Sequence, residues 1–208
     1  MESKTVELFG LPGSGKTTIA ISVLGRSNIA VIDAHSRILK EGFKRLLVRS
    51  PQLVLDVHPS LVAKALFDRE IRRFVLGRMR QKLVTREAEN NCVLLYQEGL
   101  ISTVWRSLTQ GSNISDTDLR HLLPCTDQVV FLDVEPSLAR ERIQGKRELG
   151  PINQLLADAP LDSMVWQRAV ASRDLIVNLL RKELGPKLVS IDNSGQLDSI
   201  DLVHLLDP

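Results

Sequence analysis

Gly10-Leu11-Pro12-Gly13-Ser14-Gly15-Lys16-Thr17 is the stretch from which the rest of the chain can be read. It has the spacing G-x-x-x-x-G-K-[ST]. Three glycines let the backbone curl until successive N–H groups converge on one anion, and Lys16 adds a cation with reach. The Thr17 hydroxyl is a hard oxygen donor of the kind Mg²⁺ accepts. Residues 5–9 ahead of the loop form a short β-type run, and residues 18–24 behind it are apolar enough for a buried helix. A helix starting here aims its N-terminus at the same anion. Gly10, Pro12, Gly13, Ser14, Gly15, Lys16, Thr17 and Thr18 are therefore expected to hold the phosphates of a nucleoside triphosphate, read as ATP with Mg²⁺.

Outward from the loop, strand and helix patterns alternate. Residues 28–33, 92–96, 128–134 and 187–192 are further apolar runs of strand length. The run at 92–96 is continuous, as for a strand buried on both faces. Residues 60–89 carry the longest helical period, weakened at Gly77, where it could divide into two helices. Residues 38–48, 100–108, 115–123, 136–144, 164–182 and 197–206 are the other predicted helices. Ser115 is a cap with Asp118 three residues on, and Pro136 suits a first turn. Residues 145–162 lack a clear period, contain Gly150, Pro151 and Pro160, and read as a mobile loop or lid. Alternating strands and helices imply right-handed crossovers and a five-stranded parallel sheet covered on both faces. The expectation is one three-layer α/β domain over 1–208 with a small lid at about 145–162.

Composition narrows the function. The 208 residues hold 27 Lys+Arg against 25 Asp+Glu, a net charge of +2, too small for a general nucleic-acid binder. Aromatics are 4% of the chain, too few to stack many bases. Cys92 and Cys125 make no disulfide framework. The histidines 35, 58, 121 and 204 show no metal-ligand spacing. The residues before the first strand hold no apolar leader, and no apolar run is long enough to span a bilayer. A cytoplasmic chain with no membrane partner is expected, and a homodimer is compatible with that reading.

A nucleotide site of this kind needs an acid at the end of a neighbouring strand to orient the metal. Two runs qualify, one ending at Glu98 and one at Asp133, and pattern alone leaves both open. Asp33, at the end of the second strand, is a third acid, placed to bind or deprotonate an acceptor hydroxyl. Cations gather at Arg140, Arg142, Lys146 and Arg147, just ahead of the lid, where positive charge best serves a moving phosphoryl group. Of these, Arg140 fits an exposed helix end, and Arg142 and Arg147 are the stronger candidates. Arg69, Arg73 and Arg80 fall near one face of the long helical segment, which suits an anion but also a solvated face. Arg168 and Arg173 are weaker candidates of the same kind.

Together these elements resemble the P-loop nucleoside and nucleotide kinases, the group that includes adenylate, thymidylate and shikimate kinases. The loop looks more like the adenylate-kinase version than the thymidylate-kinase one. Phe131-Leu132-Asp133-Val134-Glu135-Pro136, then Arg142-Ile143-Gln144-Gly145-Lys146-Arg147, is similar to that family's fourth strand, helix and lid entry. The resemblance implies a P-loop NTPase fold and transfer of the γ-phosphoryl group of ATP to a nucleoside, nucleotide or other small hydroxyl or phosphate acceptor. It implies Arg142 on adenine, Lys146 and Arg147 on phosphates, and Asn193 in the loop by the adenine edge. It favours Glu98 over Asp133, with Thr17, as the metal group, because the family's third strand lies beside the P-loop strand. The chain departs from thymidylate and deoxynucleoside kinases in one respect. Their acid–arginine pair after the third strand is replaced by Gln97-Glu98-Gly99, without an arginine. An ATP-binding switch or assembly NTPase is the alternative reading. A GTPase is disfavoured, because no N-K-x-D motif is present.

Overall fold

Alternation along the first strand, β1 (Lys4–Phe9), sets the layering of the molecule. Residues on a strand point to opposite faces in turn. Val6 and Leu8 pack with Ile19, Ala20 and Val23 of helix α1 (Lys16–Val23). Phe9 belongs to the larger core on the other face, and period two puts Glu7 on that face with it. The computed structural model describes residues 3–23, 28–32, 57–88, 92–123 and 126–194. The predicted helices at 38–48 and 197–206, and Asp33, lie outside the described residues.

Among the described residues five strands form one sheet, β2 (Ile29–Ile32), β3 (Val93–Tyr96), β1, β4 (Gln128–Asp133) and β5 (Leu188–Asp192), in that spatial order. Every pairing is parallel. This is the expected three-layer α/β arrangement. The order bears out that the strand before Glu98 lies beside the loop strand, but β4 borders β1 on its other side. Both candidate acids thus end strands that border the loop strand, and adjacency does not separate them.

The long helical segment divides, but not at Gly77. Helix α2 (Pro59–Phe67) ends at Asp68 and α3 (Arg69–Glu87) begins there. Asp68 Oδ1 accepts from the Glu70 and Ile71 amides at 2.7 and 3.1 Å. A carboxylate does better at a cap, where free N–H groups await an acceptor, than inside a helix. Gly77 continues α3 and serves packing: a Cβ there would sit 3.2 Å from Leu100 Cδ1 on helix α4 (Leu100–Thr109).

Helix α5 (Asp116–Leu122) is capped by Ser115 as predicted, and Pro136 opens α6 (Pro136–Gln144). The segment at 145–162 differs from expectation. It contains a helix, α7 (Pro151–Asp158), with Ile152, Leu156 and Ala157 buried. The Trp166 indole, on α8 (Met164–Leu184), donates to Leu156 O at 2.9 Å, and Gln144 Nε2 donates to Ala157 O at 2.9 Å. Two turns of helix are too short for a readable period. Pro151 at the first turn was the available signal.

Candidate active site

The loop between β1 and α1 is clamped by close contacts that exclude side chains. Gly13 has φ +83°, and a Cβ on it would come 2.4 Å from Ala139 O of α6. Lys16 Nζ donates to Gly10 O at 2.8 Å, Leu11 O at 3.0 Å and Ser14 Oγ at 3.4 Å. Asn193, buried just past β5, donates Nδ2 to Ser14 O at 2.6 Å. Its own N–H donates to Asp133 O at 2.8 Å. Arg142 Nη1 donates to Asn193 O at 3.2 Å.

These groups open on one cavity of about 400 Å³. One side is the loop, where every predicted phosphate-binding residue lines the wall except Ser14, which is buried. Arg142, Lys146 and Asn193 line a second side. The third is the turn after β3 and one face of α4: Gln97, Glu98, Ser102, Trp105 and Arg106. Arg147 is exposed and does not line the cavity.

The two candidate acids differ in surroundings. Glu98 lines the cavity and its Oε2 is paired with Arg106 Nη2. Asp133 does not line it: its side chain is 56% exposed and lies 3.6 Å from the Arg173 guanidinium on α8. Beside Glu98, Gln97 Nε2 donates to Thr17 Oγ1 at 2.5 Å. The Thr17 hydroxyl and the Glu98 carboxylate are hard oxygen donors facing one space, a set that fits Mg²⁺ and suits no softer metal.

Electrostatics tie the same residues together. Burial of the ammonium pushes Lys16 down to about 8, with Arg106 and Lys146 acting in the same sense and Glu98 opposing. Burial pushes Glu7 up to about 8 against the pull of the backbone amides at 99–102. Glu7 Oε1 accepts from Ile101 N at 2.8 Å and Ser102 N at 3.3 Å.

Sequence reasoning missed Arg106, Gln97, Ser102 and Glu7. Glu98 does have an arginine partner in space, Arg106, eight residues further along the chain. The signal was the spacing 98, 102, 105, 106, which continues the turn onto one face of α4. Glu7 gave a stronger signal, a lone carboxylate inside an apolar strand.

In fold the chain is similar to solved structures of a nucleoside kinase. A deoxyadenosine kinase from M. mycoides with products dCMP and dCDP aligns at TM-score 0.52 and 15% identity, over 97% of this chain and 95% of that one. The same kinase with bound dATP aligns at TM-score 0.51 and 14% identity, over 97% and 96%. A thymidylate kinase from Ehrlichia chaffeensis aligns at TM-score 0.46 and 17% identity, over 99% and 96%. At these identities the likeness is one of fold. No family model matches the sequence, and no curated protein does either. Among the described residues no helix is long and apolar enough to cross a membrane.

Proposed function

We propose that this chain is an ATP-dependent kinase that moves the γ-phosphoryl group to a small-molecule hydroxyl or phosphate acceptor. One observation carries the reading: the loop lysine and hydroxyl, the Glu98–Arg106 pair and the lid-entry cation Lys146 line a single cavity. A switch NTPase also needs the loop groups and a metal-orienting acid, but gives no reason for an arginine held on that acid inside the cavity.

In this reading the loop amides and Lys16 take the phosphate oxygens, replacing the carbonyls that Lys16 now contacts. Arg142 holds the adenine end and Lys146 faces the phosphates. Thr17 and Glu98 would hold Mg²⁺, which when bound would supply positive charge to the transferring phosphoryl group. Arg106 holds Glu98 in its rotamer through a charge-assisted hydrogen bond. Trp105 and Ser102 form the floor beneath an acceptor. The reacting groups close around the acceptor from the β3–α4 side, and α7 with the residues around it shields the opposite side from water. A reducing, cytoplasmic setting suits a chain with two cysteines.

The test is ATP consumption with Mg²⁺ across nucleosides, nucleotides, sugars and other small alcohols. Nucleosides and nucleotides come first, because structural neighbours act on that class. An acceptor that raises turnover well above basal hydrolysis is expected, and Lys16→Ala is expected to abolish ATP binding. Turnover unmoved by every acceptor, or undiminished ATP affinity in Lys16→Ala, refutes the proposal.

A further inference from the structure

Glu7 is completely buried in the middle of the sheet, three residues ahead of the loop. Its carboxyl meets the first turn of α4, where helix N–H groups lack intrahelical partners. Oε1 accepts two of them, from Ile101 and Ser102. The residue at the α4 N-cap is Gly99, which has no side chain to do this. A Cβ on Gly99 would come 2.5 Å from the Glu7 carboxyl carbon, so the carboxyl fills the place of that missing side chain. The second oxygen, Oε2, has no hydrogen-bond partner.

This is a costly way to cap a helix. A buried carboxyl with an unpaired oxygen loses its hydration, whereas serine or aspartate at the cap position does the same work at the surface. What the surface residue lacks is a link to β1. Glu7 joins the strand that feeds the phosphate loop to the helix whose first turns supply the facing wall. Gln97 and Glu98 precede the anchored turn directly, Ser102 belongs to it, and Trp105 and Arg106 follow it. All five line the cavity.

We propose that Glu7 is a positioning residue that sets the separation of Glu98 and Gln97 from Thr17, and with it the grip of the site on a metal–nucleotide complex. The proposal rests on the kinase reading above. Glu7 touches neither substrate nor metal; it acts through the backbone of residues 99–102.

The experiment measures the affinity of the full chain for ATP by calorimetry, with and without Mg²⁺, and takes the ratio as the metal gain. Glu7→Gln keeps an acceptor oxygen and the shape, and is expected to keep the wild-type gain. Glu7→Leu removes the acceptor. It is expected to bind metal-free ATP as the wild type does, while the gain falls about tenfold or more, as for groups that orient a metal ligand from behind. If Glu7→Leu does not fold, Gly99→Ala disturbs the same contact from the other side and must show the same loss. A lower melting temperature with an undiminished gain overturns the proposal and leaves only a helix cap. A wild-type chain that binds no MgATP overturns the kinase reading and this proposal with it. A normal wild-type gain that survives in Glu7→Leu overturns this proposal alone.

Discussion

Replacing Glu7 by glutamine should stabilise the protein increasingly as pH rises. The side chain is completely buried, and burial lifts its carboxyl from 4.5 to about 8. In the unfolded chain the same carboxyl releases its proton above its ordinary value. Between those two values the unfolded state therefore binds fewer protons than the folded state, and stability must fall as pH rises. The stabilisation from the folded protonated form is whole below 4.5 and is lost as pH climbs through about 8. With the two values the loss is about 1 kcal/mol at pH 5, about 3 at pH 7 and about 4 at pH 8, measured from the acid limit. Glutamine is neutral at every pH, so its variant lacks this slope. Urea unfolding of both proteins at pH 5, 6.5 and 8 gives two stability curves, and subtraction cancels every other titrating group. The difference should grow by about 3 kcal/mol in favour of glutamine from the first pH to the last. Parallel curves would show that Glu7 is already ionised in the folded protein, and would refute the burial argument.

Two further changes probe the site directly. Arg106→Ala should lower kcat about 10- to 100-fold with little change in the KM for ATP, because it frees Glu98 without touching the loop; Arg106→Lys should recover only part, since a point charge cannot reproduce the guanidinium fork. Steady-state kinetics with the acceptor found by the screen decides it. Asn193→Ala strips the side-chain donor from the buried Ser14 carbonyl and should cost about 1–3 kcal/mol, a drop of several degrees in a thermal melt, together with weaker ATP binding. A variant that melts normally and binds ATP normally would show that the brace is dispensable.

What could be read from the chain alone follows the range of the interactions. The strands were legible because a parallel sheet buried on both faces requires continuous apolar runs, and the runs at 92–96 and 128–134 stop at polar residues. The loop was legible because its groups are consecutive and act through the backbone. The wall opposite was not, because its logic is long-range. Glu7 meets Ile101 across 94 positions, and Asn193 meets Ser14 across 179. Arg106 lies only eight residues from Glu98, but the pair forms only once the chain turns at Gly99 and α4 begins. The choice between Glu98 and Asp133 shows the same limit. Both runs border β1, so strand order was no help; what differs is that Glu98 lines the cavity while Asp133 is exposed beside Arg173.

The contacts around the loop also bear on why the proposed chemistry is placed on the β3 side. On the β4 side, backbone crowds the loop. A Cβ at Gly10 would come 2.6 Å from Leu132 O, and one at Gly13 still closer to Ala139 O. Asn193 fastens Ser14 from the end of β5, and its N–H ties that end to Asp133 O. The end of β4 is thus spent on bracing, through its backbone and through the pairing of Asp133 with Arg173. With the loop pressed against β4 and α6, the candidate acid and its arginine face it from the opposite direction. There the β3 turn and α4 present Gln97, Glu98 and Arg106 across the cavity, anchored to β1 by Glu7. The glycines that match the phosphate motif are therefore needed twice, once to turn N–H groups toward an anion and once to let β4 and α6 approach closely enough to hold the loop against that wall.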